Sequence, residues 1–198
     1  MIELPAYDPR SAKAHGLNFA TSNIGASHMY GWVGHEILGF PEKVDPFTVE
    51  GKGALCKRVQ DELAIYEALG FCQFPVSNGM IPLDLAARML YAATGIEEFK
   101  DAHYLLIVGE RIVNLERTFN VREGFSRKDD VLPERFLREP FPRTPSKGQI
   151  FELDKLLDDY YTARGWDIKT GIPTRKKLEE LGLKDVADEL EKLGKLSR

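Results

Sequence analysis

The stretch Val49–Phe74, VEGKGALCKRVQDELAIYEALGFCQF, has the clearest helical pattern in this chain. Apolar side chains recur in it every three or four residues, the spacing that places them on one face of an α-helix. Asp45 and Pro46 suit the N-cap and the first helical position, and Gly70 favours the left-handed turn that ends a helix. The pattern therefore predicts a long helix from Pro46 to Leu69, whose apolar stripe is Leu55, Val59, Leu63 and Tyr66 with Cys56 beside it.

The same periodicity continues toward the C-terminus. Pro75–Pro82 reads as a loop, and four prolines break the pattern between Arg122 and Lys147. The other predicted helices are Asp84–Thr94 with Asp84 as its cap, Phe99–Asn120, Ile150–Ala163, one from Pro173 or Thr174 to Gly182, and Lys184–Leu193. No stretch alternates as a strand would, so the sequence predicts an all-α, multihelical fold.

The first 45 residues differ from the rest because they carry five glycines and only weak helical periodicity. Glycine permits tight turns and lets the backbone approach something bulky, so the segment is either loop-rich packing or the wall of a ligand site. We expect residues 1–75 to combine this glycine-rich segment with the long helix and residues 76–198 to form a helical bundle. A single continuous helical unit is the alternative.

Composition excludes several classes of protein. The chain has 198 residues, 43% hydrophobic and 29% charged, which is an ordinary globular balance. Its net charge of -4 argues against nucleic-acid binding by bulk attraction. It has no apolar run of membrane-spanning length and no signal-like N-terminus, and its two cysteines are too few for a disulfide framework. We therefore expect a cytoplasmic protein that binds neither membrane nor nucleic acid.

Taken alone, the chemically active residues are weak signals. Cys56 lies on an apolar helix face, which indicates a core position, and Cys72 follows a helix end, where a cysteine is more often a small hydrophobe than a ligand. Two cysteines cannot supply four thiolates to an iron–sulfur cluster. His28 lies among glycines, where an imidazole could transfer a proton near neutral pH.

Six stretches in order nevertheless resemble the C-terminal helical part of tungsten-containing aldehyde ferredoxin oxidoreductases. They are LPAYDPR (Leu4–Arg10), FATSNIGASH (Phe19–His28), EILGFPEKVDP (Glu36–Pro46), the opening stretch Val49–Phe74, GERIVNLERTFNVREGFSRKDDVLPERF (Gly109–Phe136) and LDDYYTARGWDIKTGIPTRKKLEELGL (Leu157–Leu183). The resemblance implies an enzyme that holds tungsten between two pterin dithiolenes beside a 4Fe-4S cluster. Such an enzyme oxidises small aldehydes to carboxylic acids and passes the electrons to ferredoxin.

The resemblance also implies roles for particular residues. The family's second D-x-x-G-L-C motif reads here as Glu67-Ala68-Leu69-Gly70-Phe71-Cys72. It implies that Cys72 is a cluster ligand and that Glu67, Leu69, Gly70 and Phe71 line the pterin side of the site. The family's G-A-C-H-x-R segment reads as Gly25-Ala26-Ser27-His28-Met29-Tyr30, with Ser27 for the cysteine and Tyr30 for the arginine. It implies that His28 is an acid–base group beside the metal.

The family's N-terminal pterin-binding domain and its CxxCxxxC run are not in this sequence. We therefore expect the chain to need an N-terminal domain or subunit as its partner, and to hold neither tungstopterin nor a complete cluster in isolation. A metal-free helical scaffold or interaction subunit is the alternative. The sequence leaves open the substrate, the choice between tungsten and molybdenum, whether the chain is a fragment or a split subunit, and whether it forms a homo-oligomer.

Overall fold

Ten α-helices account for most of the residues that the computed structural model describes, which are 4–77 and 79–196. They are α1 (Lys13–Thr21), α2 (Gly34–Ile37), α3 (Lys52–Ala68), α4 (Gln73–Ser77), α5 (Leu83–Thr94), α6 (Ala102–Arg122), α7 (Glu134–Arg138), α8 (Leu153–Arg164), α9 (Arg175–Glu180) and α10 (Lys184–Lys192). Within those residues the only β-type pairing is one isolated bridge between Trp166 and Pro173. The all-α expectation is confirmed.

Helix α3 is the central element, since α1, α6 and α8 all pack against it. Its closest approach is to α6, where a Cβ on Gly109 would overlap the Asp61 carbonyl oxygen. Only a residue without a side chain fits between the two backbones. On its other side, α3 holds the fully buried guanidinium of Arg164, which ends α8 and pairs with the Asp61 carboxylate.

The C-terminal end of α3 has the predicted geometry. Gly70 has a φ of +72°, and the Phe71 N–H donates to the Tyr66 carbonyl oxygen at 2.9 Å. Together with a bond from the Gly70 N–H to the Glu67 carbonyl at 3.0 Å, this is a Schellman turn, which satisfies the last carbonyls of a helix. The turn fixes the backbone immediately before Cys72.

The predicted start of α3 is wrong by six residues. The helix begins at Lys52 because Gly51 has a φ of +74°, a left-handed conformation that cannot continue an α-helix. Asp45 is not the N-cap. Its carboxylate accepts instead from the Phe47 N–H at 2.9 Å, within the turn that precedes the helix.

Other predicted boundaries need smaller corrections. The expected loop Pro75–Pro82 begins inside the short helix α4, and α5 is preceded by Pro82 at its N-cap, so Asp84 lies within the first turn and is not the cap. Helix α6 begins at Ala102, where the Asp101 carboxylate accepts from the His103 N–H, and not at Phe99. Helix α8 begins at Leu153 and not at Ile150. Helix α9 begins at Arg175 with Thr174, one of its two predicted starts, as the N-cap, and α10 begins at Lys184.

The prediction failed most clearly in the glycine-rich segment, where α1 and α2 are present. All nine residues of α1 are buried, including Lys13 and His15. A helix that is covered on every side has no polar face, so it carries no amphipathic stripe for the sequence to reveal. No helix in the described part of the chain is long and apolar enough to cross a membrane.

Candidate functional site

Side chains from α6 hold the glycine-rich segment in place. The Asn23 amide donates to the Tyr30 hydroxyl at 2.8 Å and to the Val113 carbonyl at 3.1 Å. Tyr30, which is 3% exposed, donates its own hydroxyl proton to the Glu116 carboxylate at 2.7 Å. The Asn120 amide donates to the Asn23 carbonyl at 2.9 Å. Tyr30 is therefore a buried residue that connects the glycine-rich segment to α6 through its hydroxyl group.

His28 lies in this segment, and its half-buried ring rests against other aromatic rings. Its centroid is 5.5 Å from that of Tyr7 and 6.2 Å from that of Trp32. In the described part of the chain its side chain makes no hydrogen bond. Both ring nitrogens are consequently available to an outside partner.

His15, which no sequence pattern singled out, belongs to the same cluster. Its ring lies 5.5 Å from Tyr7, 5.4 Å from Trp32 and 4.7 Å from Phe19. Burial, with a smaller contribution from the charge of His28, lowers its pKa to about 4. His15 is therefore neutral at physiological pH. Its Nε2 atom is buried and has no hydrogen-bond partner among the described residues.

A buried ion pair fixes the backbone at His15. The Glu36 carboxylate accepts from the Ala14 N–H at 3.1 Å and the His15 N–H at 3.0 Å, so it caps α1 from a distant part of the chain. Lys52 pairs with the same carboxylate at 2.6 Å, and both side chains are fully covered. No local pattern in the sequence marks Glu36 or Lys52, because Glu36 caps α1 from a position 21 residues after His15.

The Cys72 turn is the second part of the site. Cys72 carries an exposed thiol, whereas Cys56 is buried, and burial raises the Cys56 pKa to about 12. Phe71 packs its ring edge-on against Tyr66 at 5.9 Å. The Leu69 side chain packs against the apolar cluster of Ile65, Ala87 and Leu105. Of these turn residues, Leu69 and Phe71 therefore direct their side chains into the protein.

Glu67 lies at the surface one turn before Cys72. Its carboxylate accepts from the Gln73 amide at 2.9 Å and makes no ion pair with a cation among the described residues. Desolvation raises the pKa of this carboxyl, the negative charge of Glu116 adds to the effect, and the hydrogen bond from Gln73 opposes it. Glu67 can therefore still accept a hydrogen bond from a ligand.

One apolar cluster links the two parts of the site. Trp32, which contacts His28, and Phe71, which precedes Cys72, both pack against it. Its buried members are Ala14, Val33, Val59, Leu63, Tyr66, Val76 and Ala86. The structure thus connects the segments of His28 and Cys72 through a shared core, although the two side chains do not touch.

A cavity of about 420 Å³ opens beside Trp32. Its wall is mainly apolar, with Arg58, Glu62, His35 and His103 at polar positions. Burial raises the pKa of Glu62, and the charge of Arg58 opposes that shift. The Trp32 indole N–H and the His35 Nδ1 atom have no hydrogen-bond partner in the described part of the chain.

The described residues contain no group of three or more His, Cys, Asp or Glu side chains that could hold a metal ion. Of the two cysteine thiols, the one at Cys72 is accessible to groups outside the chain.

Comparison with known proteins bears on this arrangement. Residues 2–183 match the family model described as aldehyde ferredoxin oxidoreductase, domains 2 and 3. The chain is 44% identical over 185 residues to the tungsten-containing aldehyde ferredoxin oxidoreductase of Thermococcus kodakarensis, which covers 92% of this chain but 30% of that protein. The chain thus spans less than a third of the length of this relative.

More distant relatives share part of the similarity. The WOR-like subunit of an aliphatic sulfonate oxidoreductase from Pyrococcus furiosus is 28% identical over 142 residues, covering 67% of this chain and 22% of that one. Among solved structures, the active-site complex BamBC of benzoyl coenzyme A reductase with 1,5-dienoyl-CoA matches with a TM-score of 0.61 and 30% identity. That match covers 80% of this chain and 22% of the other.

Proposed function

This chain belongs to the aldehyde ferredoxin oxidoreductase family, and on that premise we propose that it forms the C-terminal helical part of a tungstopterin iron–sulfur oxidoreductase. The complete enzyme oxidises aldehydes to carboxylic acids and passes the electrons to ferredoxin. It is completed by an N-terminal pterin-binding domain or subunit, without which the chain is inactive. The observation that carries the proposal is the exposed Cys72 thiol on a turn of fixed geometry, within a match that spans residues 2–183.

The residues present fit the group that the family implies. A cluster ligand must be an accessible thiolate, and Cys72 is exposed while Cys56 is not. The Schellman turn also fixes the backbone before Cys72, which favours one position for the ligand. When bound, the tungstopterin and the cluster supply the two-electron oxidation and the route by which the electrons leave.

Glu67 and the turn Leu69–Phe71 are proposed to line the pterin side. The Glu67 carboxylate can accept from a pterin amine, since the hydrogen bond that it already accepts is a single one from Gln73 at the surface. Gly70 allows the turn to approach a flat ligand closely, because its backbone adopts a φ of +72° without a side chain.

His28 is proposed as the acid–base residue. As an oxygen atom adds to the carbonyl carbon of the aldehyde, a base must accept a proton. The His28 imidazole can accept it at a ring nitrogen that makes no hydrogen bond to the described residues. His15 is unsuited to this task, because its Nε2 atom is buried and its pKa of about 4 makes the imidazole a weak base. The rings of Tyr7 and Trp32 pack against His28.

A metal-free interaction subunit is the second candidate. It is favoured by Ser27 and Tyr30, which stand where the family has a cysteine and an arginine. Ser27 accepts from the Met29 N–H at 3.2 Å and Tyr30 donates to Glu116, so both side chains maintain the loop itself.

The cysteines provide a matched test in the complete enzyme. We expect Cys72→Ser to lose or convert the cluster, because the hydroxyl is a poor substitute for a thiolate ligand. Cys56→Ala should keep the cluster, since Cys56 is enclosed by the core. Iron content and the electron paramagnetic resonance spectrum report the result. An unchanged spectrum in Cys72→Ser would refute the assignment.

His28→Ala should lower turnover of the complete enzyme by roughly 10²–10⁴-fold, the usual contribution of a general acid or base. Tungsten and iron contents should stay normal, because His28 is not proposed as a ligand. Steady-state kinetics with metal analysis on the same sample separates the two effects. Full turnover in the variant would remove His28 from the mechanism.

A further inference from the structure

Tyr7 occupies the centre of the aromatic cluster around His28. Its ring lies 5.5 Å from the rings of both His15 and His28 and 5.4 Å from Trp32. Trp32 in turn contacts both imidazoles. His28 is thus in contact with two aromatic rings that are themselves in contact with each other.

His28 depends on these rings for its position. It has no hydrogen bond in the described part of the chain, so ring contacts are the directional interactions that hold its imidazole. Each aromatic contact of this kind is worth about 0.5–1.5 kcal/mol beyond the area it buries. Two such contacts favour one orientation of the ring while leaving its nitrogens free.

The chain next to Tyr7 is held in place by contacts that do not involve His28. The next residue, Asp8, accepts from the Arg10 backbone N–H at 3.0 Å and from the Arg10 guanidinium at 2.7 Å. That guanidinium also donates to the Glu139 carbonyl at 2.7 Å and lies over the ring of Phe141. The Tyr7 hydroxyl has no partner among the described residues, so the ring and not the hydroxyl makes the contacts.

We propose that Tyr7 is a positioning residue for His28: its ring, fixed by the Asp8–Arg10 anchor and packed against Trp32 and His15, sets the plane and place of the His28 imidazole. The proposal rests on the acid–base role proposed for His28. His15 supports the arrangement as a neutral ring that also contacts Tyr7. A general base must lie within hydrogen-bond reach of the proton that it takes, so a displaced imidazole loses turnover even though it is chemically intact.

The first test is made on the 198-residue chain by nuclear magnetic resonance. In the native chain, the ring protons of Tyr7 and His28 should show cross-relaxation, and the His28 Cε1 proton should be shifted by ring currents relative to that of exposed His103. Tyr7→Leu should reduce this shift, whereas Tyr7→Phe, which keeps the ring, should preserve it. Tyr104→Leu is the matched control, because Tyr104 contacts Phe99 and not the cluster.

The second test measures the same variants in the complete enzyme. Tyr7→Leu should lower kcat by about 10²-fold with little change in KM, the loss expected for a displaced catalytic group. Tyr7→Phe should restore kcat, and Tyr104→Leu should match the native enzyme. Even if Tyr7→Leu fails to fold, cross-relaxation in the native chain shows whether the Tyr7 and His28 rings are in contact.

The outcomes separate this proposal from the one on which it rests. The positioning role is overturned if the Tyr7 and His28 ring protons show no cross-relaxation. It is also overturned if Tyr7→Leu shifts the His28 resonance without lowering kcat. Either result leaves His28 as the acid–base residue. Full turnover in His28→Ala overturns the acid–base role whatever the spectra show.

Discussion

His15 and His28 lie in one aromatic cluster, but the two side chains differ in burial. His15 is 1% exposed and is enclosed by Phe19, Tyr7 and Trp32, while His28 is half-buried at the edge of the same rings. Desolvation penalises a charged imidazole, so the enclosed residue stays neutral and serves as packing. The acid–base role is accordingly proposed for the residue at the edge, His28.

The buried His15 predicts a loss of stability in acid. Its folded pKa of about 4 is below its ordinary value of 6.5, so the unfolded chain binds a proton that the folded chain refuses. This contribution of His15 to the free energy of unfolding is fully present above pH 6.5. It is lost as the pH falls toward 4, by about 3 kcal/mol in total. Urea unfolding at pH 7 and pH 4 should show this loss reduced in His15→Gln but unchanged in His103→Gln. Equal pH dependence in all three proteins would contradict the assignment.

The environment of a residue can be predicted from the sequence where neighbouring residues determine it. It cannot be predicted where partners from distant parts of the chain determine it. Cys56 in the core and the left-handed Gly70 follow from the helix that contains them. Glu36 caps α1 across 21 residues and pairs with Lys52, and no spacing rule brings these groups together. Tyr7 meets His28 only because both lie against Trp32 in the folded chain.

At the scale of elements, amphipathic helices were predictable and the fully buried one was not. Helices α3, α5, α6 and α8–α10 each follow an apolar stripe or a cap in the sequence. Helix α1 is covered by its neighbours on all sides and therefore has no polar face to set its period. The start of α3 was misplaced because Gly51 breaks the helix, although Asp45 and Pro46 satisfy the start rules.

The contact between α3 and α6 should be sensitive to a single methyl group. In an exposed helix, replacing glycine with alanine stabilises by up to about 1 kcal/mol. At Gly109 the new methyl group would meet the Asp61 carbonyl oxygen, so Gly109→Ala should instead destabilise the chain by about 1–3 kcal/mol. Chemical denaturation measures the change. A stabilised variant would show that the two helices leave room for a side chain between them.

At the scale of the whole molecule, the buried ion pair of Arg164 and Asp61 joins α8 to α3. The Arg164 guanidinium on α8 contacts the Asp61 carboxylate, the Gln60 side chain at 2.7 Å and the Tyr160 hydroxyl at 3.0 Å. Since α3 also packs against α1 and α6, this pair lies where elements from both halves of the chain meet. The division into residues 1–75 and 76–198 stays a prediction.

Breaking this pair should be costly. Asp61→Ala leaves a fully buried guanidinium without its counter-charge, which we expect to destabilise the chain by about 3–5 kcal/mol. Glu134→Ala is the matched control, because its pair with Arg138 is exposed on both sides and should contribute no more than about 1 kcal/mol. Thermal unfolding of both variants at one pH measures the difference. Similar losses in the two would contradict the central role of the buried pair.

The function can be predicted only in part from this chain, for a physical reason. The described residues provide one accessible thiol and an imidazole with free nitrogens, but no set of ligands that encloses a metal. The chain spans less than a third of the length of its tungsten-containing relatives, so we expect the other ligands of such a site to come from the part of the enzyme that this chain does not span. Resemblance across six stretches, and not any single motif, pointed to the family.

The most direct test is metal analysis of the chain co-purified with the N-terminal pterin-binding domain or subunit that we propose as its partner. We predict iron and tungsten in the native complex, and loss of iron in the Cys72→Ser complex while the Cys56→Ala complex keeps it. A stable native complex that contains neither metal would contradict the account and identify the chain as a metal-free interaction subunit.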